Sequence, residues 1–372
     1  MGYVMIDALR EIVIESPALY VGFGGLMIGV VFGYIVFRTN FCTMGSISDI
    51  VNFGDYRRFR SWLLATATAI IGATFVEITG VANLGGSLYL TPSFNWLGNI
   101  LGGLVFGFGM VFAGGCTSRN LVRAGGGDLR SLMVLIVVGI FGYMTIGGLF
   151  GPVRVAIFSP ATVDLTKYGL DSQRTGDILA ALTGLDVTIA RNVVLAVVLA
   201  AFLGYIFKDK GFRTSPVHII AGVGIGICVT AGWLLTGLAL DDFADVPVQL
   251  ASLTYVRPSG DTLDYLMRFT AYATPNFAVV TTLGALLGGF IGAVVHGKFA
   301  IATFADVKDT TRNLFGAALM GIGGVLALGC TVGQAVSGAS TMALGSYITF
   351  VFIVIGGIAG MKFFEFLLMR EA

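Results

Sequence analysis

The sequence predicts an all-α, polytopic membrane protein of about nine transmembrane helices, arranged as an inverted 4+1+4 repeat with broken or re-entrant helices. Three observations predict it: an extreme apolar composition, a strict alternation of charge between successive connections, and a Gly-Cys-Thr signature that recurs at a fixed interval. Hydrophobic residues make up 56% of the chain and charged residues 12%, with a mean hydropathy of +0.90. Soluble domains carry about 25% charged residues, so a soluble fold of this chain would lack the polar side chains to cover itself. The 54 glycines are about double the usual share and follow no collagen-like period. In apolar segments glycine lets helix backbones approach closely, or lets a helix break where its polar groups line a cavity. With a net charge of +1, no nucleic-acid partner is expected.

From the N-terminus, residues 1–17 carry Asp7, Arg10, Glu11 and Glu15 among apolar positions, the pattern of a short amphipathic stretch on the membrane surface. No cleavable signal peptide is expected before the first span. A bilayer core takes about 20 apolar residues per helix. Segments of that length fall at 18–37, 61–80, 96–114, 130–150, 189–207, 216–238, 276–296, 312–329 and 345–368.

The connection after the first span holds Arg38, Arg57, Arg58 and Arg60, and that after the third holds Arg119, Arg123 and Arg130. After the fifth come Lys208, Lys210 and Arg213, and after the seventh Lys298, Lys308 and Arg312. The connections after the second and eighth spans have no Lys or Arg. Those after the fourth and sixth are long, with Asp164, Asp171, Asp177, Asp241, Asp242 and Asp245 offsetting a few basic residues. The positive-inside rule then puts the N-terminus outside and the C-terminus, with Lys362 and Arg370, in the cytoplasm.

An offset of 214 residues lays Gly102, Gly107, Gly109, Gly115, Cys116 and Thr117 onto Gly316, Gly321, Gly323, Gly329, Cys330 and Thr331. It also carries the second span onto the seventh and the fourth onto the ninth. The first span pairs with the sixth, leaving 189–207 as a connecting helix. Residues 18–150 and 216–368 thus form two halves of a single membrane domain, 1–372. Matching spans lie an odd number apart, so the halves are inverted, an arrangement in which transporters hold their site near the midplane.

Each signature ends an apolar helix and opens a stretch rich in Gly, Ser and Ala, Ala124 to Gly127 in one half and Ser337 to Ser340 in the other. Neither stretch is expected to continue as a comfortable membrane helix. A break at membrane depth exposes backbone N–H groups, and a half-helix N-terminus is a site for an anion. There a thiol gains thiolate character, while Thr117 and Thr331 add hydroxyls without fixed charge. The third element is Cys42 in Phe41-Cys42-Thr43-Met44-Gly45, whose repeat counterpart falls near Ser252-Leu253-Thr254-Tyr255, with hydroxyls but no thiol. The halves are therefore chemically unequal, which suits a directional path.

A lone cysteine in a membrane helix is usually a small apolar filler, and Cys228 is read that way. No cysteine pair is spaced as CxxC, and His218 and His296 sit at span ends, so no metal, cofactor or disulfide framework is expected. Glu77, Arg191, Lys362 and Glu365 lie near span ends, and no span centre holds a charge, so no proton relay is visible. Arg154, Lys167, Arg174, Arg257 and Arg268 read first as solvated loop charge, and second as attractors of an anion to the outer mouth.

At these motifs the chain resembles the YeeE/YedE sulfur transport family. The likeness lies in Phe41-Cys42-Thr43-Met44-Gly45, Gly114-Gly115-Cys116-Thr117 and Gly329-Cys330-Thr331-Val332-Gly333-Gln334, with Gly232 to Gly237 and Ser252-Leu253-Thr254 also similar. It spans roughly residues 20–365. The resemblance implies an hourglass-like inner-membrane importer of thiosulfate or a similar sulfur anion, not an enzyme. Cys116, Cys330 and Cys42 would contact the ion in succession, with Thr117, Thr331, Thr43, Gly115, Gly329 and Gln334 lining the path. It also implies a separate cytoplasmic partner, a SirA/TusA-like sulfur carrier or a rhodanese. Two other readings stay open: a membrane thiol relay passing sulfane sulfur covalently, and a sensor that binds a sulfur compound without moving it. The repeat favours transport, since neither alternative needs inverted halves.

Overall fold

The computed structural model describes residues 2–241, 247–272 and 274–371; Asp242 and Asp245 of the sixth connection lie outside the described residues. The surface stretch at the N-terminus is helix α1 (Gly2–Glu15), and Pro17 starts α2 (Pro17–Thr39), which Asn40 closes in the left-handed conformation. Then follow α3 (Thr43–Phe53), α4 (Arg57–Ile78), α5 (Trp96–Phe112), α6 (Thr117–Gly125) and α7 (Leu129–Ile146). The long fourth connection holds α8 (Gly151–Phe158) and α9 (Thr175–Thr183). Next are α10 (Val187–Phe207), the single turn α11 (Lys210–Arg213), α12 (Pro216–Leu238), α13 (Val256–Met267), α14 (Phe277–Val295), α15 (Val307–Leu326) and α16 (Leu344–Glu371). Among the described residues the one sheet pairs β1 (Ser93–Asn95) antiparallel with β2 (Thr162–Asp164).

The protein is therefore a polytopic, all-α membrane protein. Among the described residues eight helical stretches are long and apolar enough to cross a bilayer, Pro17–Phe53, Arg57–Ile78, Trp96–Gly125, Leu129–Ile146, Val187–Phe207, Pro216–Leu238, Phe277–Val295 and Leu344–Arg370. The remaining predicted segment, 312–329, belongs to α15, whose first two turns hold Lys308, Asp309 and Arg312. Those charges keep it out of the long apolar set.

The contacts between connections sort into two groups. Arg60 pairs with Asp209 at 2.9 Å, and the Leu129 N–H donates to the Ala302 carbonyl at 2.9 Å, joining odd-numbered connections to one another. Arg174 pairs with Glu77 at 2.6 Å, β1 pairs with β2, and the Thr175 N–H donates to the Met342 carbonyl at 2.9 Å, joining even-numbered ones. The molecule thus has a basic face and an opposite face, in the order in which the charges alternate along the chain.

Helix partners follow a rule of exchange. α2 packs on α14, and α12 on α4; α5 packs on α16, and α15 on α7; α5 and α15 pack on each other. Replacing each helix by the one that matches it in the other half returns the same set. The short helices obey it too, α3 lying on α4 and α16, and α13 on α14 and α7. α10 stands at the periphery with Ile189, Val193 and Val197 exposed, as befits a helix facing lipid.

Glycine sets how closely these helices meet. Lipid tails are as apolar as leucine, so membrane helices associate through close packing of small residues. A Cβ at Gly29 would stand 2.5 Å from the Thr281 carbonyl oxygen, and one at Gly33 would overlap the Ala285 carbonyl. From the other side, Cβ atoms at Gly284 and Gly288 would overlap the Leu26 and Val30 carbonyls. The α5–α15 crossing repeats this with Gly102 and Gly109 against Gly323 and Gly316. Gly288→Leu is therefore expected to cost more than about 3 kcal/mol and to abolish a monodisperse purified protein. Gly204→Leu, on the open face of α10 with nothing within 4 Å, should change thermal stability by less than about 0.5 kcal/mol. Thermal unfolding in detergent and size-exclusion elution of the two variants check this.

Candidate functional site

Four interruptions of helix meet in the buried centre, ahead of α3, α6, α13 and the helical stretch that begins at Thr331. Two are built alike. After α5, Gly114 and Gly115 take φ of +70° and +148°, and the Gly115 N–H reaches back to the Met110 carbonyl at 2.9 Å. After α15, Leu328 takes φ of 58° where the first half has Gly114, and the Gly329 N–H reaches the Gly324 carbonyl at 2.8 Å. Both are left-handed helix closures that satisfy orphan carbonyls. The remaining carbonyls are met by side-chain amides. Asn120 donates to Gly115 O at 2.9 Å and to Ala113 O at 3.3 Å, and Gln334 donates to Ala327 O. Asn120 and Gln334, like Ala113 and Ala327, are related by the repeat offset.

The cysteines stand where each new helix starts. Cys42 caps α3 and Cys116 caps α6, while Cys330 precedes the stretch from Thr331. All three are buried, at 6%, 0% and 0% exposure, so an ion reaches them only by displacing side chains. The thiols of Cys42 and Cys116 lie against each other, and the N–H groups of Gly45 and Arg119 face them. Ser118 Oγ lies 3.3 Å from Cys116 Sγ, and the Thr331 hydroxyl borders the same thiol. Cys330 Sγ accepts the Gly333 N–H at 3.4 Å, and the Thr254 hydroxyl lies 3.9 Å away. The chain of contacts runs Thr254, Cys330, Thr331, Cys116, Cys42.

Thr43, Thr117 and Thr331 each follow a cysteine, and all three hydroxyls are buried with no hydrogen-bond partner. Burying an unpaired hydroxyl costs about 1–3 kcal/mol. Three such groups at three helix N-termini form a donor set without an acceptor. The Gln334 Oε1 and Tyr255 hydroxyl oxygens share that condition.

Tyr255, rather than Ser252 or Thr254, caps α13 as Cys42 caps α3. Phe41 stacks on Trp62 at 4.2 Å on one side of the centre, and Tyr255 lies 5.0 Å from Phe32 on the other. The stretch Ser337 to Ser340 corrects the expectation of a non-helical break. It is helical, partly as a π-helix over Gly333–Gly338, and fully buried. Its hydroxyls bond within the protein, Ser337 to the Leu253 carbonyl at 2.6 Å and Ser340 to the Ser337 carbonyl at 2.6 Å, so no polar group meets lipid. Cys228 sits within α12 and starts no helix itself. Sequence reasoning missed Asn120, Arg119 and the Tyr89 that borders Gly333; only Asn120 carried a signal, its offset from Gln334.

The sulphur transport family model matches residues 38–359 of the chain. The chain is 27% identical over 336 residues to the thiosulfate transporter TsuA of Spirochaeta thermophila, covering 89% of this chain and 96% of that one. It is 26% identical over 348 residues to TsuA of Escherichia coli, covering 89% and 91%. A shorter match, 30% identical over 107 residues, is to the probable transporter YedE of Salmonella typhimurium, covering 28% of this chain and 24% of that one.

The loop that carries Cys116 is tied to the α6–α7 connection. Arg123 donates to the Gly114 carbonyl at 3.2 Å and to Asp128 at 2.5 Å, and Asp128 also caps α7 and bonds Arg130. Burial pushes the Asp128 carboxyl up, but Arg130 and Arg123 outweigh it and hold it below the ordinary carboxylate value. Asp128→Asn is therefore expected to destabilise the protein by about 1–2 kcal/mol at neutral pH. Because the folded-state value is depressed, that difference should persist down to the ordinary aspartate range and vanish as pH falls through the depressed value. Paired thermal unfolding curves across pH check it.

Proposed function

The chain belongs to the sulphur transport family, and we propose that it imports thiosulfate, or a similar small inorganic sulfur anion, across the inner membrane along the cysteine path. One observation carries the reading: three Cys-Thr pairs, each at a helix N-terminus and each with a buried, unpartnered hydroxyl, touch one another in series. Helix N-termini favour anions through free N–H groups and the helix dipole. Thiols and hydroxyls bind the ion by weak donation and release it again, with no lasting covalent bond. Thiols and hydroxyls carry no fixed charge, which suits conduction, since each site must hold an ion only weakly. The full-length likeness to two thiosulfate transporters supports the choice of ion.

In this reading residues 18–150 and 216–368 are inverted halves joined by 189–207, supported by the exchange rule among helix partners. The basic face is cytoplasmic by the positive-inside rule, which places the N-terminus outside, the C-terminus inside, and Cys42 nearest the cytoplasm. A membrane potential, negative inside, opposes anion entry by about 2.3 kcal/mol per charge per 100 mV, or about 4–5 kcal/mol for a dianion. With no carboxylate among the proposed path residues to couple protons, import is drawn by consumption inside. A soluble sulfur acceptor of the SirA/TusA or rhodanese kind fits that role.

Uptake of labelled thiosulfate, in a bacterium lacking its own importers, tests the path. Cys116→Ala and Cys330→Ala should abolish uptake and Cys42→Ala should lower it at least about tenfold, whereas Cys228→Ala should behave as wild type. Normal uptake in all four would reduce the cysteines to packing residues. A persulfide trapped on Cys116 or Cys330 would favour the covalent relay, and ligand binding without flux would favour the sensor.

A further inference from the structure

Arg119 is the third residue of α6, its side chain folded over Gly115 beside Cys116, within electrostatic reach of the Cys42 and Cys116 thiols and of the Arg58 and Arg123 guanidiniums. Its two cationic neighbours have carboxylate partners, Arg58 with Asp49 at 3.2 Å and Arg123 with Asp128 at 2.5 Å. Among the described residues no carboxylate pairs with Arg119 and no acceptor takes a hydrogen bond from it. A partly buried guanidinium in the first turn of a helix also opposes the helix dipole, which favours negative charge there. The first turn of α6 has no acidic residue to offset this. Two residues earlier, the Thr117 hydroxyl is wholly buried and unpartnered. An unpaired cation among cations and a set of unpaired donors at one helix start are complementary to an anion.

We propose that Arg119 is an anion-binding residue of the Cys42–Cys116 station, its guanidinium holding the oxygen-bearing end of the sulfur oxyanion while the thiols contact its sulfur end. The assignment rests on the transport reading above. A guanidinium presents a planar fork that pairs two oxygens at once, which an ammonium cannot do. The two ends of the ion are thereby told apart. Sulfate offers the oxygens but no terminal sulfur, and sulfide offers sulfur but no oxygens, so neither satisfies both partners.

The test is uptake of radiolabelled thiosulfate into proteoliposomes by wild type, Arg119→Gln and Arg119→Lys, with elution and thermal midpoint measured on the same preparations. Arg119→Gln should raise the half-saturating thiosulfate concentration about tenfold or more, the scale of a lost charge-assisted hydrogen bond. Arg119→Lys should raise it severalfold, keeping charge but losing the fork. An unchanged half-saturation in Arg119→Gln, or a fall in maximal rate alone, overturns the assignment while leaving the transport reading intact. Should Arg119→Gln not yield stable protein, Arg119→Lys decides: a raised half-saturation supports the assignment, and a wild-type value overturns it. Wild type that takes up no thiosulfate overturns both.

Discussion

A helix that stops inside a bilayer leaves N–H and C=O groups that lipid cannot satisfy, and this structure is organised around meeting that demand four times. The carbonyl ends are closed by left-handed turns at Gly114–Gly115 and Leu328 and by the amides of Asn120 and Gln334. The N–H ends are left for thiols and hydroxyls, Cys42, Cys116 and Cys330 with their threonines. What the fold completes at one end of each break it leaves incomplete at the other. The surrounding helices keep lipid away from both ends, which is why irregular backbone is tolerated at that depth.

The unequal treatment of charge follows. The groups gathered at the breaks are thiols and hydroxyls with no carboxylate among them, so the proposed path offers an anion no fixed negative charge. Toward the basic face the surroundings become cationic through Arg58, Arg119 and Arg123. The opposite side of the centre has Thr254, Tyr255 and Tyr89 instead. Matching helix packing thus surrounds unequal chemistry, a thiol and guanidinium on one side of the centre and hydroxyls on the other.

The helices and the cysteine signature were legible in the sequence because both rest on patterns that context does not alter: long apolar runs, and a motif repeated at 214 residues. Context decided the rest. Ser337 to Ser340 read as a break because serine and glycine sit badly in lipid, yet protein on every side supplies their partners and the segment is helical. Arg119 read as one more cytoplasmic loop charge, since nothing in the chain shows that it lacks the carboxylate that Arg123 has in Asp128. The counterpart of Cys42 read as the whole stretch Ser252-Leu253-Thr254-Tyr255, and only the fold singles out Tyr255 within it, by its cap position. The polar start of α15 is visible in the sequence as Lys308, Asp309 and Arg312, and it blurs the count of spans.

The glycine crossings bear on how such a protein could move. α2 of the first half is seated on α14 of the second, α12 of the second on α4 of the first, and at α2–α14 and α5–α15 backbone rests on backbone with no side chain between. Halves interlocked in this way are not two rigid bodies with a hinge between them. A rocking carrier needs a plane along which its halves can slide, and here that plane is stitched from both sides. In the transport reading proposed above, opening the centre would then fall to the side chains that close it, Phe41 on Trp62 and Tyr255 beside Phe32, all fully buried. On that reading the molecule would be a stationary frame around a small latch, more a valve than a revolving door.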